Sequence, residues 1–296
     1  MVESIGLIER AAALLRQQDS TEPVSARKPP PQPDFSPSSP QLVLDRGRLA
    51  GFGIAIPSSE RSRTVEEFRV VKRNLIASWP QNDVIDDPGS SRLIMVTSAR
   101  PGEGKTFSAI NLALSFASER SVKALLVDLD TQHPGLPRIF GFPGDKGIVD
   151  VLAGNAHLSE ILIETNLPNL MIVPAGRGGP HVPELLSSRE MRALLAQLTD
   201  QLADRFIIID TPPCMASSDA AALAPLVGQI VFVIEAHGTQ RDEIEAALSM
   251  LSACPRISLL LNKTDTQASE HFGSFGYYKY YSAGGGGDEP RATDAT

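Results

Sequence analysis

From residue 93 onward, short apolar runs alternate with longer stretches of helical period. Strand-like runs occur at Leu93–Val96, Ala124–Val127, Leu170–Val173, Phe206–Ile209, Ile230–Ile234 and Ile257–Leu261. Between them, Thr106–Glu119, Ser187–Leu202, Ser217–Leu226 and Arg241–Ala253 read as helices. Several of the runs are continuously apolar rather than alternating, the mark of a parallel strand buried on both faces. The pattern predicts an α/β domain with a doubly wound, mostly parallel sheet, whose ligands collect at the carboxyl ends of its strands. Upstream, Thr64 can cap a helix running through Ser78, with Val65, Phe68, Val71 and Leu75 on its apolar side. Its polar face carries Glu66, Glu67, Arg69, Lys72 and Arg73, and such a face is ordinarily solvated. Residues 3–17 form a second amphipathic candidate, with Ile5, Ile8, Ala12 and Leu15 at helical spacing and Ser4 as a cap. Two readings stay open for it: packing on its own domain, or docking to a partner.

Between these two helices the chain turns polar and proline-rich, including Pro29-Pro30-Pro31 and Pro33. A stretch of that kind buries too little apolar surface to offset its ordering entropy, so it reads as a linker. The organisation expected is an N-terminal helix over 1–18, a linker over 19–62, one domain over 63–266 and a flexible tail over 267–296. The net charge of −8 argues against a nucleic-acid partner. Cys214 and Cys254 lie far apart without CxxC spacing, which points to a reducing compartment and no structural metal. No apolar run reaches membrane-spanning length and the start lacks a signal-peptide core, so the chain is expected to have no transmembrane segment of its own.

The first candidate strand runs into Thr97-Ser98-Ala99-Arg100-Pro101-Gly102-Glu103-Gly104-Lys105-Thr106, followed at once by a helix opening at Phe107. This is a phosphate-binding loop. Gly102 and Gly104 let backbone N–H groups turn toward phosphate oxygens with no Cβ in the way. Lys105 brings a charge for the β- and γ-phosphates, the Thr106 hydroxyl is placed for Mg²⁺, and the helix dipole points at the same anion. Ala99 stands where such loops usually carry their first glycine. Residues 99–107 are therefore the expected nucleotide contacts. Two other strands end in carboxylates, Leu125-Leu126-Val127-Asp128-Leu129-Asp130 and Phe206-Ile207-Ile208-Ile209-Asp210-Thr211-Pro212-Pro213. An Asp just past a buried strand can hold Mg²⁺ directly or through water, which makes Asp128 and Asp210 metal candidates beside Thr106.

All four tyrosines of the chain, Tyr277, Tyr278, Tyr280 and Tyr281, lie within five residues, beside the glycine run 284–287. They read as phosphate acceptors, each modification adding roughly −1.5 to −2 charge at neutral pH, or as an aromatic docking segment.

The loop, the apolar-Asp-x-Asp segment and the apolar-Asp-Thr-Pro-Pro segment together resemble the three Walker motifs of bacterial protein-tyrosine kinases. That family falls within the deviant P-loop ATPases that include partitioning and septum-site proteins. Glu66-x-x-Arg69-x-x-Lys72 is similar to the family's Glu-x-x-Arg-x-x-Arg assembly motif. Ile8-Glu9-Arg10-Ala11-Ala12 resembles the leader of autokinases in exosortase-linked exopolysaccharide loci, and the tyrosine tail matches as well. The resemblance implies ATP-dependent autophosphorylation of the tail within a homo-oligomeric ring, with Mg²⁺, through Lys105 and with Asp128 or Asp130 as base. It implies ring contacts through Glu66, Arg69 and Lys72, and an activating, membrane-embedded polysaccharide chain-length determinant. That partner would place the protein in the cytoplasm, at the inner face of the plasma membrane. Two positions depart from the pattern. Gln132, followed by His133, replaces the arginine of the second motif, and Arg100 sits where partitioning ATPases carry a signature lysine.

Asn262-Lys263-Thr264-Asp265 matches a guanine-reading pattern, whereas the corresponding Asn in the kinases contacts adenine; the resemblance favours ATP. On the sequence alone, two other functions remain open. One is a partitioning or positioning ATPase switch; the other, motivated by Gln132, is a nucleotide-binding assembly protein without phosphoryl transfer.

Overall fold

Seven strands build one sheet in the order β3-β4-β2-β5-β1-β6-β7. The computed structural model describes residues 41–57, 62–78, 92–179 and 181–264. The strands are β1 (Leu93–Ser98), β2 (Lys123–Asp128), β3 (Ile163–Glu164), β4 (Leu170–Val173), β5 (Arg205–Asp210), β6 (Gln229–Glu235) and β7 (Ile257–Asn262). All neighbouring pairs are parallel except β3 with β4. The long apolar runs of the sequence are these strands, each within about two residues of its expected limits, because β1, β2 and β5 are buried on both faces. The pairing register aligns the strand ends. Val96 and Asp128 both lie opposite Asp210, so three neighbouring strands end level and bring their terminal residues to one edge.

Ten helices are described. They are α1 (Arg46–Gly51), α2 (Arg63–Ala77), α3 (Lys105–Ala117), α4 (Gly135–Phe140), α5 (Ile148–Leu152), α6 (Leu158–Ile161), α7 (Val182–Leu186), α8 (Arg189–Gln201), α9 (Asp219–Leu223) and α10 (Arg241–Met250). Helix α3 is buried along its whole middle, Ser108 to Phe116, between the sheet and α2. It joins Ile94, Val96, Leu126, Ile208 and Val231 in the main core, to which α2 adds Phe68 and Leu75.

Several expectations are corrected. Residues 41–57, placed by composition in the linker 19–62, are folded onto the domain. Leu42 bridges Thr165, α1 is capped by the Asp45 side chain accepting from Arg48 N, and Leu44, Leu49 and Ile54 enter the core. Arg48 ties this segment down by donating to the carbonyls of Ile139 and Arg138 at 2.9 and 2.6 Å, at the end of α4. The helix expected over Ser187–Leu202 begins instead at Arg189, where Ser188 accepts from Met191 N; the separate short α7 precedes it. The helix expected over Ser217–Leu226 shortens to α9 and a 3₁₀ turn containing Pro225. Helix α2 starts at Arg63, so Thr64 lies inside it and is not its cap. Among the described residues no helix is long and apolar enough to cross a membrane.

Candidate active site

The phosphate-binding loop joins β1 to α3, with Gly104 as the residue that caps the helix. Gly102 and Gly104 have φ of 87° and 97°, the left-handed region that favours glycine. Gly104 has a second constraint, since a Cβ there would lie 2.0 Å from Asn262 Nδ2 at the end of β7. That amide group donates to the Glu103 carbonyl at 2.9 Å, bracing the loop from the far side. The α3 N–H groups of Lys105, Thr106 and Phe107 precede the first intrahelical bond, which runs from Ser108 N to Gly104 O, so they are available for an anion.

The Glu103 side chain holds the loop as well. It is buried, its Oε2 accepts from Arg100 N at 2.8 Å, and its Oε1 accepts a short hydrogen bond from the Thr239 hydroxyl. Thr239 in turn accepts from Glu235 N at the end of β6. The intervening turn passes through His237, whose φ is 60°. This brace is the part of the site that sequence reasoning missed, because its partners lie 136 residues apart and Thr239 belongs to no motif. Cys214 lies in the same neighbourhood. Burial pushes its thiol up to about 11, and the Glu103 charge adds to that.

The acidic residues divide their duties. Asp128 is fully buried, with Oδ1 accepting from Asp130 N and Oδ2 from both Gly135 N and Leu136 N. It therefore organises the loop after β2, folding it so that Gly135 passes against Thr106. A Cβ on Gly135 would lie 2.5 Å from Thr106 Cγ2. Asp130 faces the phosphate loop: its Oδ2 accepts from Lys105 Nζ at 2.6 Å and its Oδ1 from His133 N. Asp210 Oδ2 accepts from the Thr106 hydroxyl at 2.6 Å, while Asp210 Oδ1 is buried with no hydrogen-bond partner. Burial pushes Asp210 up to about 8, with the Asp128 charge adding and Lys105 opposing. Burial likewise raises Asp128 to about 6 against its three backbone donors.

An orphaned carboxylate oxygen beside a threonine hydroxyl suits a hard cation. Mg²⁺ characteristically takes one or two protein oxygens and completes its shell with water and phosphate. Thr106 and Asp210 are the residues that fit it. Asp128 fits less well, because the lone pairs of its Oδ2 are already occupied.

Of the other expected site residues, Ala99 is buried with its carbonyl accepting from Met215 N, and Pro101 is exposed in the turn. The Phe107 ring belongs to the core, edge-on to Phe68 with centroids 5.9 Å apart. Arg100 is anchored within its own chain, its guanidinium donating to Glu243 and Gly238 O at 3.3–3.4 Å. Gln132 and His133 are exposed. The Glu66-x-x-Arg69-x-x-Lys72 motif is split by its helix. Glu66 and Arg69 pair with each other at 2.5 Å on the half-exposed face. Lys72 points inward: it is 2% exposed and donates to Ser115 O and the Glu119 carboxylate of the α3 end. Placing Lys72 on a solvated polar face is thereby corrected. Tyr277, Tyr278, Tyr280, Tyr281, Asp265 and the expected helix over 3–17 lie outside the described residues.

A parallel sheet, a two-glycine loop opening a buried helix, and acidic residues at the ends of the neighbouring strands define a P-loop nucleotide-binding domain. Residues 91–237 match a family profile described as an AAA domain. The chain is 32% identical over 222 residues to tyrosine-protein kinase CpsD of Streptococcus agalactiae, covering 74% of this chain and 91% of that one. Among solved structures, it resembles the VpsO kinase domain at 33% identity and a TM-score of 0.58, over 68% of this chain and 95% of that one. The chimerical protein CapA2B2 matches at 25% identity and a TM-score of 0.64, over 77% and 95%. The chain belongs to the bacterial tyrosine-protein kinase family.

Proposed function

We propose that this protein is an ATP-dependent protein-tyrosine autokinase that phosphorylates its own tail at Tyr277, Tyr278, Tyr280 and Tyr281 and so regulates exopolysaccharide biosynthesis and export. The observation that carries the reading is the meeting of Lys105, Thr106, Asp130 and Asp210 at one edge of the sheet, in a chain whose tyrosines are all gathered in one segment. A phenol has an ordinary pKa near 10, so it attacks poorly without a base. Asp130 is the base in this reading, because its carboxylate lies on Lys105. Engagement of Lys105 with the β- and γ-phosphates releases Asp130 Oδ2 to take the phenolic proton. The tyrosine oxygen then bonds to the γ-phosphorus, the bond to the β-phosphate oxygen breaks, and ADP leaves. Thr106 and Asp210 would hold Mg²⁺, which when bound neutralises phosphate charge. Asn262, from the edge of the loop, contacts adenine.

The leader at residues 8–12 supports the polysaccharide assignment. By family resemblance the activator is a membrane-embedded chain-length determinant that holds the protein at the cytoplasmic face of the membrane, and Glu66 and Arg69 contact the next copy in a ring.

Incubation with Mg-ATP, with and without the activator's cytoplasmic segment, followed by mass spectrometry, tests the proposal. Phosphate on residues 277–281 that disappears in Lys105→Ala is the expected result. ATP hydrolysis without tail phosphate would sink it in favour of a positioning ATPase. Preference for GTP over ATP in competition would overturn the adenine assignment.

A further inference from the structure

β7 closes one side of the sheet, and its outward side is apolar. Leu259 and Leu261 are 58% and 61% exposed, and Met250 at the end of α10 is 42% exposed. The backbone is open at the same two residues. Ile230 N donates to Arg256 O and Ala236 N to Asn262 O, so the even-numbered residues of β7 direct their peptide groups at β6. In a parallel ladder the odd-numbered residues then direct theirs outward. The N–H and C=O groups of Leu259 and Leu261 face away from β6 and meet no other strand among the described residues. An edge that presents apolar side chains and free peptide groups at the same positions is a template for another strand.

We propose that the occupant is the chain's own segment 272–281, which turns back after β7 and adds to its edge as an antiparallel strand. This segment holds Phe272, Phe275 and all four tyrosines but a single charged residue, Lys279. Aromatic residues of this kind favour strand pairing over apolar neighbours. Its location fits too. The described chain ends at Thr264, two residues past β7, leaving 265–271 to make the reversal. Those residues span up to about 23 Å, ample for a turn back along a six-residue strand of about 20 Å. Closing so short a loop keeps the segment at high effective concentration. Tyr277 and Tyr281 share one side of such a strand with Lys279 between them. Tyr278 and Tyr280 share the other, two residues apart like Leu259 and Leu261, so the register that pairs Tyr278 with Leu261 and Tyr280 with Leu259 sets two tyrosine rings over the leucines. A second copy fits the edge less well. Pairing of one six-residue strand per subunit falls far short of the about 1,200 Å² that a stable interface buries. The docking needs no phosphoryl transfer and stands apart from the activity proposed above.

The test uses the full chain without nucleotide. Tyrosine-selective isotope labelling reports on this segment alone, since no other tyrosine exists in the chain. Dispersed tyrosine resonances with contacts to the Leu259 and Leu261 methyl groups are expected, collapsing to random-coil positions in the L259S/L261S variant. As a second measurement, amide exchange at Leu259 and Leu261 should be about tenfold or more slower in the natural chain than in a full-length variant with Phe272, Phe275 and the four tyrosines changed to serine. Random-coil tyrosines in the natural chain, or equal exchange in the two chains, would overturn the proposal. Protection that grows with protein concentration would overturn it too, and assign the edge to a second copy.

Discussion

Asn262 shows how much of this site rests on single hydrogen bonds made across long stretches of chain. Its amide closes the phosphate loop from the end of β7, and its position leaves no room for a side chain at Gly104. One such bond is worth about 1–2 kcal/mol. Asn262→Ala should therefore weaken ATP binding by roughly 5- to 30-fold, read by calorimetry, with little change in thermal stability. An unchanged affinity would mean that Glu103 and Thr239 suffice to hold the loop. Cys214 offers a separate check on the packing behind that loop. Its thiol is pushed from an ordinary value near 9 up to about 11, which lowers the thiolate fraction at neutral pH about a hundredfold. Alkylation of Cys214 at pH 8 should accordingly be slower by at least that factor in the native protein than in urea, as followed by mass spectrometry. Rapid native labelling would show that the loop opens readily.

At the scale of elements, α2 illustrates what a motif written in one dimension conceals. Its three charged positions three residues apart read as one surface, yet the helix turns Glu66 and Arg69 to solvent and Lys72 into the interface with α3. There the lysine ammonium meets the carbonyl end of the helix that begins at the phosphate loop, a favourable place for a cation. Ser118 also donates to Ser115 O, so the carbonyl is not orphaned when the lysine is lost. Lys72→Met should then cost about 1–2 kcal/mol in urea unfolding at an unchanged m-value. Glu66→Ala and Arg69→Ala should stay within about 0.5 kcal/mol while reducing self-association in sedimentation. The opposite pattern would return Lys72 to the subunit surface. The long strands were legible because uninterrupted Ile, Leu and Val runs have no other good explanation in this context. The elements α1, α4, α5, α6 and β3 were not, because each spans six residues or fewer and depends on distant partners. Helix α1, for example, buries only Leu49 of its own residues and is tied to α4 by Arg48.

For the molecule as a whole, the same contrast separates the parts of the site. Lys105, Thr106, Asp130 and Asp210 could be read in advance because parallel topology delivers consecutive strand ends to one edge. The Glu103–Thr239 brace and the inward turn of Lys72 could not, since they depend on side-chain packing between segments far apart in sequence. That topology also bears on how the tail would reach the site in the proposed autophosphorylation. β7 lies two strands from β1, about 10 Å across the sheet, and both strands end at the same edge. Tyr277 lies thirteen positions beyond Thr264, enough to span more than about 40 Å when extended, so reach does not forbid transfer within one chain. Family resemblance favours transfer between copies, and mixing two variants decides it. Lys105→Ala supplies a tail with no competent site; the chain with all four tyrosines changed to phenylalanine supplies a site with no acceptor. Transfer between copies predicts phosphate on the Lys105→Ala chain only when both are present, at a rate that rises with concentration. A natural chain whose phosphorylation rate per molecule is unaffected by dilution, together with no labelling in the mixture, would assign the reaction to a single copy.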